Sequence, residues 1–173
     1  FSAAQKIGCQ GTNRANSETA SQQFFPGRAV TFYPTFEHVF QAVERGEVEF
    51  GVLPVYNSTS GSVTPTYDLL GKYNCYITAM NQVKIKHCLA VRPGVSLEQI
   101  QAVYSHPQAL MQCSDFLKYH NLKQIEYSNT ATAAAFVASS SEPFAAICSE
   151  ECAKQNHMDI LFSGIANVAL NYT

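Results

Sequence analysis

A chain of 173 residues with 46% hydrophobic content can bury one sizeable core but is short for two independent domains, so length alone predicts one compact unit. Its 11 Lys and Arg are scattered and its formal net charge is -2, which excludes the clustered cations that nucleic-acid binding needs and leaves small-molecule chemistry as the default. No apolar run approaches the roughly 18 residues of a membrane span, and FSAAQKIGCQG lacks the basic start and apolar centre of a secretory signal, so a cytoplasmic protein without a membrane partner is expected.

In chain order, KIGCQG (6–11) reads as a short strand running into a loop. NSETASQQFF (16–25) opens on Asn16 and Ser17 as N-cap candidates, carries Glu18 in its first turn and ends at Pro26-Gly27, which predicts a helix. AVTFYP (29–34) is rich in β-branched and aromatic residues and stops at Pro34, as a strand does. Thr35 then caps a second helix with Phe36, Val39, Phe40 and Val43 on one face and Gly46 at its end. FGVLPV (50–55) is the nearly continuous apolar run of a strand covered on both faces. After the polar loop YNSTSGSVTP come a short helix around 66–73 and two strands, YITAMNQV (76–83) and KHCLAV (86–91).

The second half keeps the rhythm. AVYSH (102–106) reads as a strand, PQALMQCSDFLKYH (107–120) as a helix with Pro in its first turn, and QIEYS (124–128) as a strand. Asn129 or Thr130 caps the alanine-rich helix that follows; FAAIC (144–148) is a strand, SEECAKQ (149–155) a helix and DILFSGI (159–165) a strand. Strand and helix in alternation are the signature of a parallel α/β sheet.

Six cysteines, Cys9, Cys75, Cys88, Cys113, Cys148 and Cys152, are spread through strands and helices, as reduced core residues are. Cys148, Cys152 and His157 prompt a check for zinc, but a fourth ligand and paired C-x-x-C motifs are missing, so no metal is expected. No G-x-G-x-x-G, phosphate-binding loop or G-x-S-x-G elbow is present, and no cofactor is expected.

In open α/β sheets a ligand sits beyond the carboxyl ends of the strands, where N–H groups at helix N-termini can hold an anion. Four segments fall at such ends: CQGTNRANS (9–17), YNSTSGS (56–62), SHPQ (105–108) and SNTAT (128–132). Their hydroxyl and amide side chains suit an oxygen-rich anion. The same residues are ordinary in turns and caps, and it is their recurrence at four strand ends that favours a binding cleft. His106 reads either as an acid or base or as a structural hydrogen-bonding residue.

The order of these segments resembles the prephenate dehydratase family. GVLPVYNSTSGSVTPTYDLLGKY (51–73) is similar to its ENS-x-x-GS motif, YSHPQALMQCSDFL (104–117) to its SHPQ-A-L-x-Q-C motif, YSNTATAAAFVA (127–138) to its NTA-x-AA helix start, and GIANVALNYT (164–173) to the stretch leading into its TRF motif. The resemblance implies an α/β fold like that of periplasmic binding proteins. Two lobes, each a mostly parallel sheet flanked by helices, would flank a cleft, with residues 1–78 and 160–173 in one lobe and 79–159 in the other.

It also implies a carbon–oxygen lyase of L-phenylalanine biosynthesis, converting prephenate to phenylpyruvate with loss of water and carbon dioxide. Thr173 matches the threonine thought to donate a hydrogen bond or proton to the departing hydroxyl. Asn57 and Ser58 match the Asn-Ser pair that binds polar substrate groups. Ser105, Gln108 and Gln112 match the SHPQ segment, with Gln112 one helical turn beyond Gln108, and Thr130 with the N–H groups of Ala131 and Thr132 would cradle a carboxylate. A homodimer is an open expectation. Arogenate dehydratase and a binding domain without turnover are the alternatives.

The sequence departs from the family at several positions. Tyr56 stands for a glutamate, Arg14 and Asn16 for glycine and tyrosine, and Ala166 and Asn167 for Gln-Asp. Tyr56 and Arg14 make the expected cleft more cationic, which suits a dianion or signals a different ligand. The arginine and phenylalanine of the TRF motif, and the ACT domain that often follows it, are not among these 173 residues.

Overall fold

The structure is a computed structural model that describes residues 6–13, 15–168 and 171–173; Arg14 lies outside them. The chain divides into two units, one running to Lys84 and including Asn171–Thr173, the other Ile85–Leu170.

In the first unit β1 (Ile7–Gln10), β2 (Val30–Tyr33) and β3 (Phe50–Val52) form a parallel sheet in the order β2-β1-β3. The crossovers are α1 (Asn16–Phe24) and α2 (Phe36–Glu44). Thr35 caps α2 by accepting a hydrogen bond from the His38 amide, and the predicted apolar face buries Val39, Phe40 and Ala42. Gly51 lets that face lie close to the sheet, since a β-carbon there would come 2.8 Å from Val39 Cγ1. The strand expected over 50–55 is covered on both faces as expected, Phe50 and Val52 packing with Phe24 and Phe25 and Gly51 facing Val39 of α2, but it is shorter, a three-residue strand at the edge of the sheet. Pro54, which has no N–H to give a ladder, lies just beyond it.

Residues read as a loop form a hairpin instead, β4 (Tyr56–Asn57) with β5 (Gly61–Ser62), and α3 (Thr64–Lys72) begins earlier than predicted, with Pro65 in its first turn. The strand predicted over 76–83 is absent. Its β-forming residues find no ladder: Tyr76 is 82% exposed, and pairing begins only where Val83 meets Thr173.

The second unit holds β6 (His87–Val91), β7 (Ala102–Ser105), β8 (Gln124–Glu126), β9 (Phe144–Ser149) and β10 (Asp159–Ser163) in the order β10-β6-β9-β7-β8. It is a mixed sheet: β7 runs parallel to β8 and β9, whereas β6 runs antiparallel to β9 and β10. Where the resemblance implies a return to the first lobe near residue 160, the pairing of Asp159–Ser163 with β6 keeps that strand in the second sheet.

Leu89, Val91, Val103, Ala145 and Ile147 pack with Leu110 and Leu117 of α4 (Pro107–Gln112) and α5 (Ser114–Tyr119). These two helices replace the single one predicted, the break falling at Cys113 (φ -111°, ψ 16°). Alternate residues of β6 and β9, Cys88, Ala90, Ala146 and Cys148, turn to the opposite face. There α6 (Thr130–Ser139) packs through Ala131, Ala133, Ala134 and Val137, whose small side chains permit a close approach. After β9 the chain turns through α7 (Glu150–Gln155), capped by Ser149.

Candidate functional site

In the first unit the chemistry gathers around Asn57. Its Oδ1 accepts from the amides of Thr59 (3.0 Å) and Ser60 (3.1 Å) and from both their hydroxyls, an Asx-type turn that shapes the β4–β5 hairpin. Its Nδ2 donates to Asn171 Oδ1 at 2.9 Å and to Thr173 Oγ1 at 2.7 Å. Both polar atoms of this 9%-exposed side chain are therefore engaged within the chain, where the sequence predicts a group that binds substrate.

The segment carrying Thr173 is fixed through its backbone. Val83 and Thr173 exchange both their hydrogen bonds (2.7 and 2.9 Å), and Ser58 binds Tyr172 twice, its amide to Tyr172 O and the Tyr172 amide to its Oγ, each at 2.9 Å. Ser58 thus acts as an anchor, with a hydroxyl proton still to give. Thr173 Oγ1, as the acceptor from Asn57, directs its own proton elsewhere, and an oxygen that accepts a hydrogen bond is the better donor for it. Sequence reasoning missed Asn171, although residues 171 and 173 share a face of an extended segment.

In the second unit the parallel strands β7 and β8 run into helices at their carboxyl ends, as expected of a ligand-binding edge. Ser105 is fully buried and donates to Ile147 O at 2.6 Å, so its hydroxyl joins β7 to β9. His106 is the N-cap of α4, its Nδ1 accepting from the Gln108 amide at 3.2 Å, and its ring thereby takes the structural of the two readings left open. Gln108 and Gln112 lie half-buried on α4, and Gln112 Oε1 is 2.8 Å from His87 Nε2.

Asn129 is the cap of α6, with Oδ1 accepting from the Thr132 amide at 2.8 Å. One part of the expected cradle is thereby changed, since the Thr132 N–H is already taken by the cap. Two further residues went unread. Asn129 was one of two cap candidates but not a site residue, and His87 signalled itself only as an imidazole at the head of an apolar strand.

The departures from the family pattern fall on different parts of the fold. Tyr56 is exposed on β4, and Asn16 opens α1. Asn167 ties the 164–168 segment to α4 and α5: its amide donates to Gln112 O at 2.7 Å, its Oδ1 accepts from the Asp115 amide and its Nδ2 donates to Ser114 Oγ. An aspartate could not make that last donation and would stand beside the Asp115 carboxylate.

Burial raises the thiol of Cys9 and pushes that of Cys113 up to about 12, both far from a thiolate at neutral pH. Among the described residues no group of three or more His, Cys, Asp and Glu is placed to hold a metal, and no helix is long and apolar enough to cross a membrane.

Comparison with known proteins accords with this geometry. The family model for prephenate dehydratase matches residues 7–173. A plastid protein of Arabidopsis thaliana, arogenate dehydratase/prephenate dehydratase 1, is 40% identical over 169 residues, covering 97% of this chain and 43% of its own length. The chain thus spans less than half the length of the curated relatives it matches. Among solved structures, the L-Phe complex of prephenate dehydratase from Arthrobacter aurescens superposes with a TM-score of 0.85 at 25% identity, over 97% of this chain and 60% of that one. A protein described as a novel type of quorum quenching acylase, GqqA, gives 0.85 at 27% identity, over 97% and 61%. The matched span and the identity over almost the whole chain place this α/β protein in the prephenate dehydratase family.

Proposed function

We propose that the protein converts prephenate to phenylpyruvate, a step in making L-phenylalanine. The observation that carries this reading is the Thr173 hydroxyl, held at 2.7 Å by Asn57 at the position of the family's TRF threonine.

In this reaction the ring carboxylate leaves as carbon dioxide, its bonding electron pair enters the ring, the ring C–O bond breaks, and the hydroxyl departs with one proton as water. Aromatisation supplies the driving force, so the protein has to position the substrate and assist one departing oxygen. Thr173 donates to that oxygen. A threonine hydroxyl is a poor acid in water, so its effect comes from fixed placement. Asn57 acts as the positioning residue and Ser58 supplies a further donor. Gln108, Gln112, Thr130 and the Ala131 N–H bind the carboxylates and carbonyl of the substrate, with Ser105 holding β7 in place.

Incubating the intact protein with prephenate and following phenylpyruvate tests this reading; no product above background sinks it. Thermal stabilisation by prephenate without turnover would instead mark a binding domain. Arogenate, with an amino group in place of the keto group, is the second substrate to try, because relatives at 35–40% identity carry both activities in their names. Turnover of the two side by side separates them. A homodimer and a cytoplasmic location complete the proposal, to be checked by sedimentation and by fractionation against the plastid named for the plant relatives.

A further inference from the structure

Two backbone groups decide the direction of the hydrogen bonds around Asn57. The Thr59 and Ser60 amides can only donate, so the carboxamide atom they meet is Oδ1, and the atom facing residues 171–173 is Nδ2. Nδ2 in turn can only donate, so Asn171 presents Oδ1 to it at 2.9 Å and Thr173 presents Oγ1 at 2.7 Å. Asn171 is 2% exposed. Its segment is held on the main chain: Tyr172 pairs with Lys84 and binds Ser58, and Thr173 exchanges hydrogen bonds with Val83. Those bonds already anchor the segment, so a carboxamide at 171 is not needed to hold it, and an apolar side chain would be cheaper to bury. In an extended segment residues 171 and 173 point the same way, which lets both acceptors reach one nitrogen.

We propose that Asn171 is a positioning residue for Thr173 that acts through Asn57: by taking one N–H of the carboxamide it turns the other onto Thr173 Oγ1, which leaves the threonine proton to point at the departing oxygen of the substrate. This rests on the reading in which Thr173 assists that departure. The two N–H bonds of a carboxamide diverge in one plane, so fixing one fixes the other. Without Asn171 Oδ1 the group is held at its oxygen end alone, its last side-chain torsion is broad, and the bond to Thr173 loosens as it rocks.

The test compares Asn171→Ala, Thr173→Ala and the double variant in the intact protein with prephenate. Asn171→Ala is expected to lower kcat about tenfold and to leave KM within about twofold, because Asn171 touches no substrate. In the Thr173→Ala background, removing Asn171 as well should cost nothing further, since the hydroxyl it positions is already gone. An unchanged kcat, a loss carried by KM, or losses that multiply in the double variant overturn the proposal.

A second measurement needs neither turnover nor a variant. With the side-chain resonances of the unaltered protein assigned, one NH2 proton of Asn57 should show a nuclear Overhauser contact to the Asn171 side chain and the other to that of Thr173. A contact missing from either proton refutes the arrangement, whether or not Asn171→Ala folds. If the unaltered protein turns over neither prephenate nor arogenate, the dehydratase reading fails, while these contacts still judge Asn171.

Discussion

Asn57 Nδ2 lies 2.7 Å from Thr173 Oγ1, a contact that joins residues 116 positions apart in the sequence. Two substitutions separate what each end contributes. Asn57→Asp keeps oxygens for the Thr59 and Ser60 amides but has no donor for Thr173, and Asn57→Ala loses both. Each should cost about 10- to 100-fold in kcat for prephenate, with KM little changed. Full activity in Asn57→Asp would show that the donated hydrogen bond does not matter.

Thr173→Ala should lose on the order of 100-fold or more in kcat while circular dichroism stays that of the native fold. Thr173→Ser keeps the hydroxyl without the methyl that restricts its rotamer and should remain within about tenfold of the natural protein. An alanine variant as fast as the threonine form would remove Thr173 from the mechanism.

Burial lowers the His87 pKa below the imidazole value of about 6.5. Between the folded and unfolded values the unfolded chain binds more protons, so this contribution to stability is complete above about pH 6.5 and is lost as the pH falls below it. Thermal melts between about pH 7.5 and pH 5.5 should fall more steeply for the natural protein than for His87→Leu. Parallel slopes would contradict the assignment.

Two glycines should respond to alanine with opposite signs. At Gly51 the new β-carbon would meet Val39 Cγ1 at 2.8 Å, and the cost should be about 1–3 kcal/mol. At Gly71, inside α3 with nothing within 4 Å, the same change should stabilise by about 0.5–1 kcal/mol. Urea denaturation of the two variants gives both signs directly.

Thiol chemistry tests the packing. Cys75 alone of the six cysteines is half-buried, the others being buried. An aromatic disulfide reagent at about pH 8 should label one thiol quickly in the native protein and all six in denaturant. Rapid labelling of Cys113 would mean that the second unit opens readily.

Most helices and strands were legible because their hydrophobic periods are local. What escaped was set by partners elsewhere. The two-residue strands at Tyr56 and Gly61 are too short to show a period, and 76–83 has strand-forming residues but no ladder to join. The helix predicted over 107–120 breaks at Cys113, where Asn167, more than 50 positions on, supplies the side chain that caps α5.

In the site, motifs named Thr173, Asn57 and Ser58, but one-dimensional spacing could not say that Asn57 spends its hydrogen bonds on Thr173 and the hairpin. Nor could it say that Asn129 would take the Thr132 amide, or that an imidazole from β6 would meet Gln112.

Because Val83 and Thr173 exchange both backbone hydrogen bonds, the first unit is closed by residues that leave the ribosome after everything else described. A nascent chain can have completed its second sheet and still lack the threonine hydroxyl. Until Asn171 and Thr173 arrive, the carboxamide of Asn57 has two N–H donors without these acceptors, a defect that costs about 1–3 kcal/mol if kept from water. A chain cut just before Asn171 is therefore expected to have a looser first unit, open to limited proteolysis.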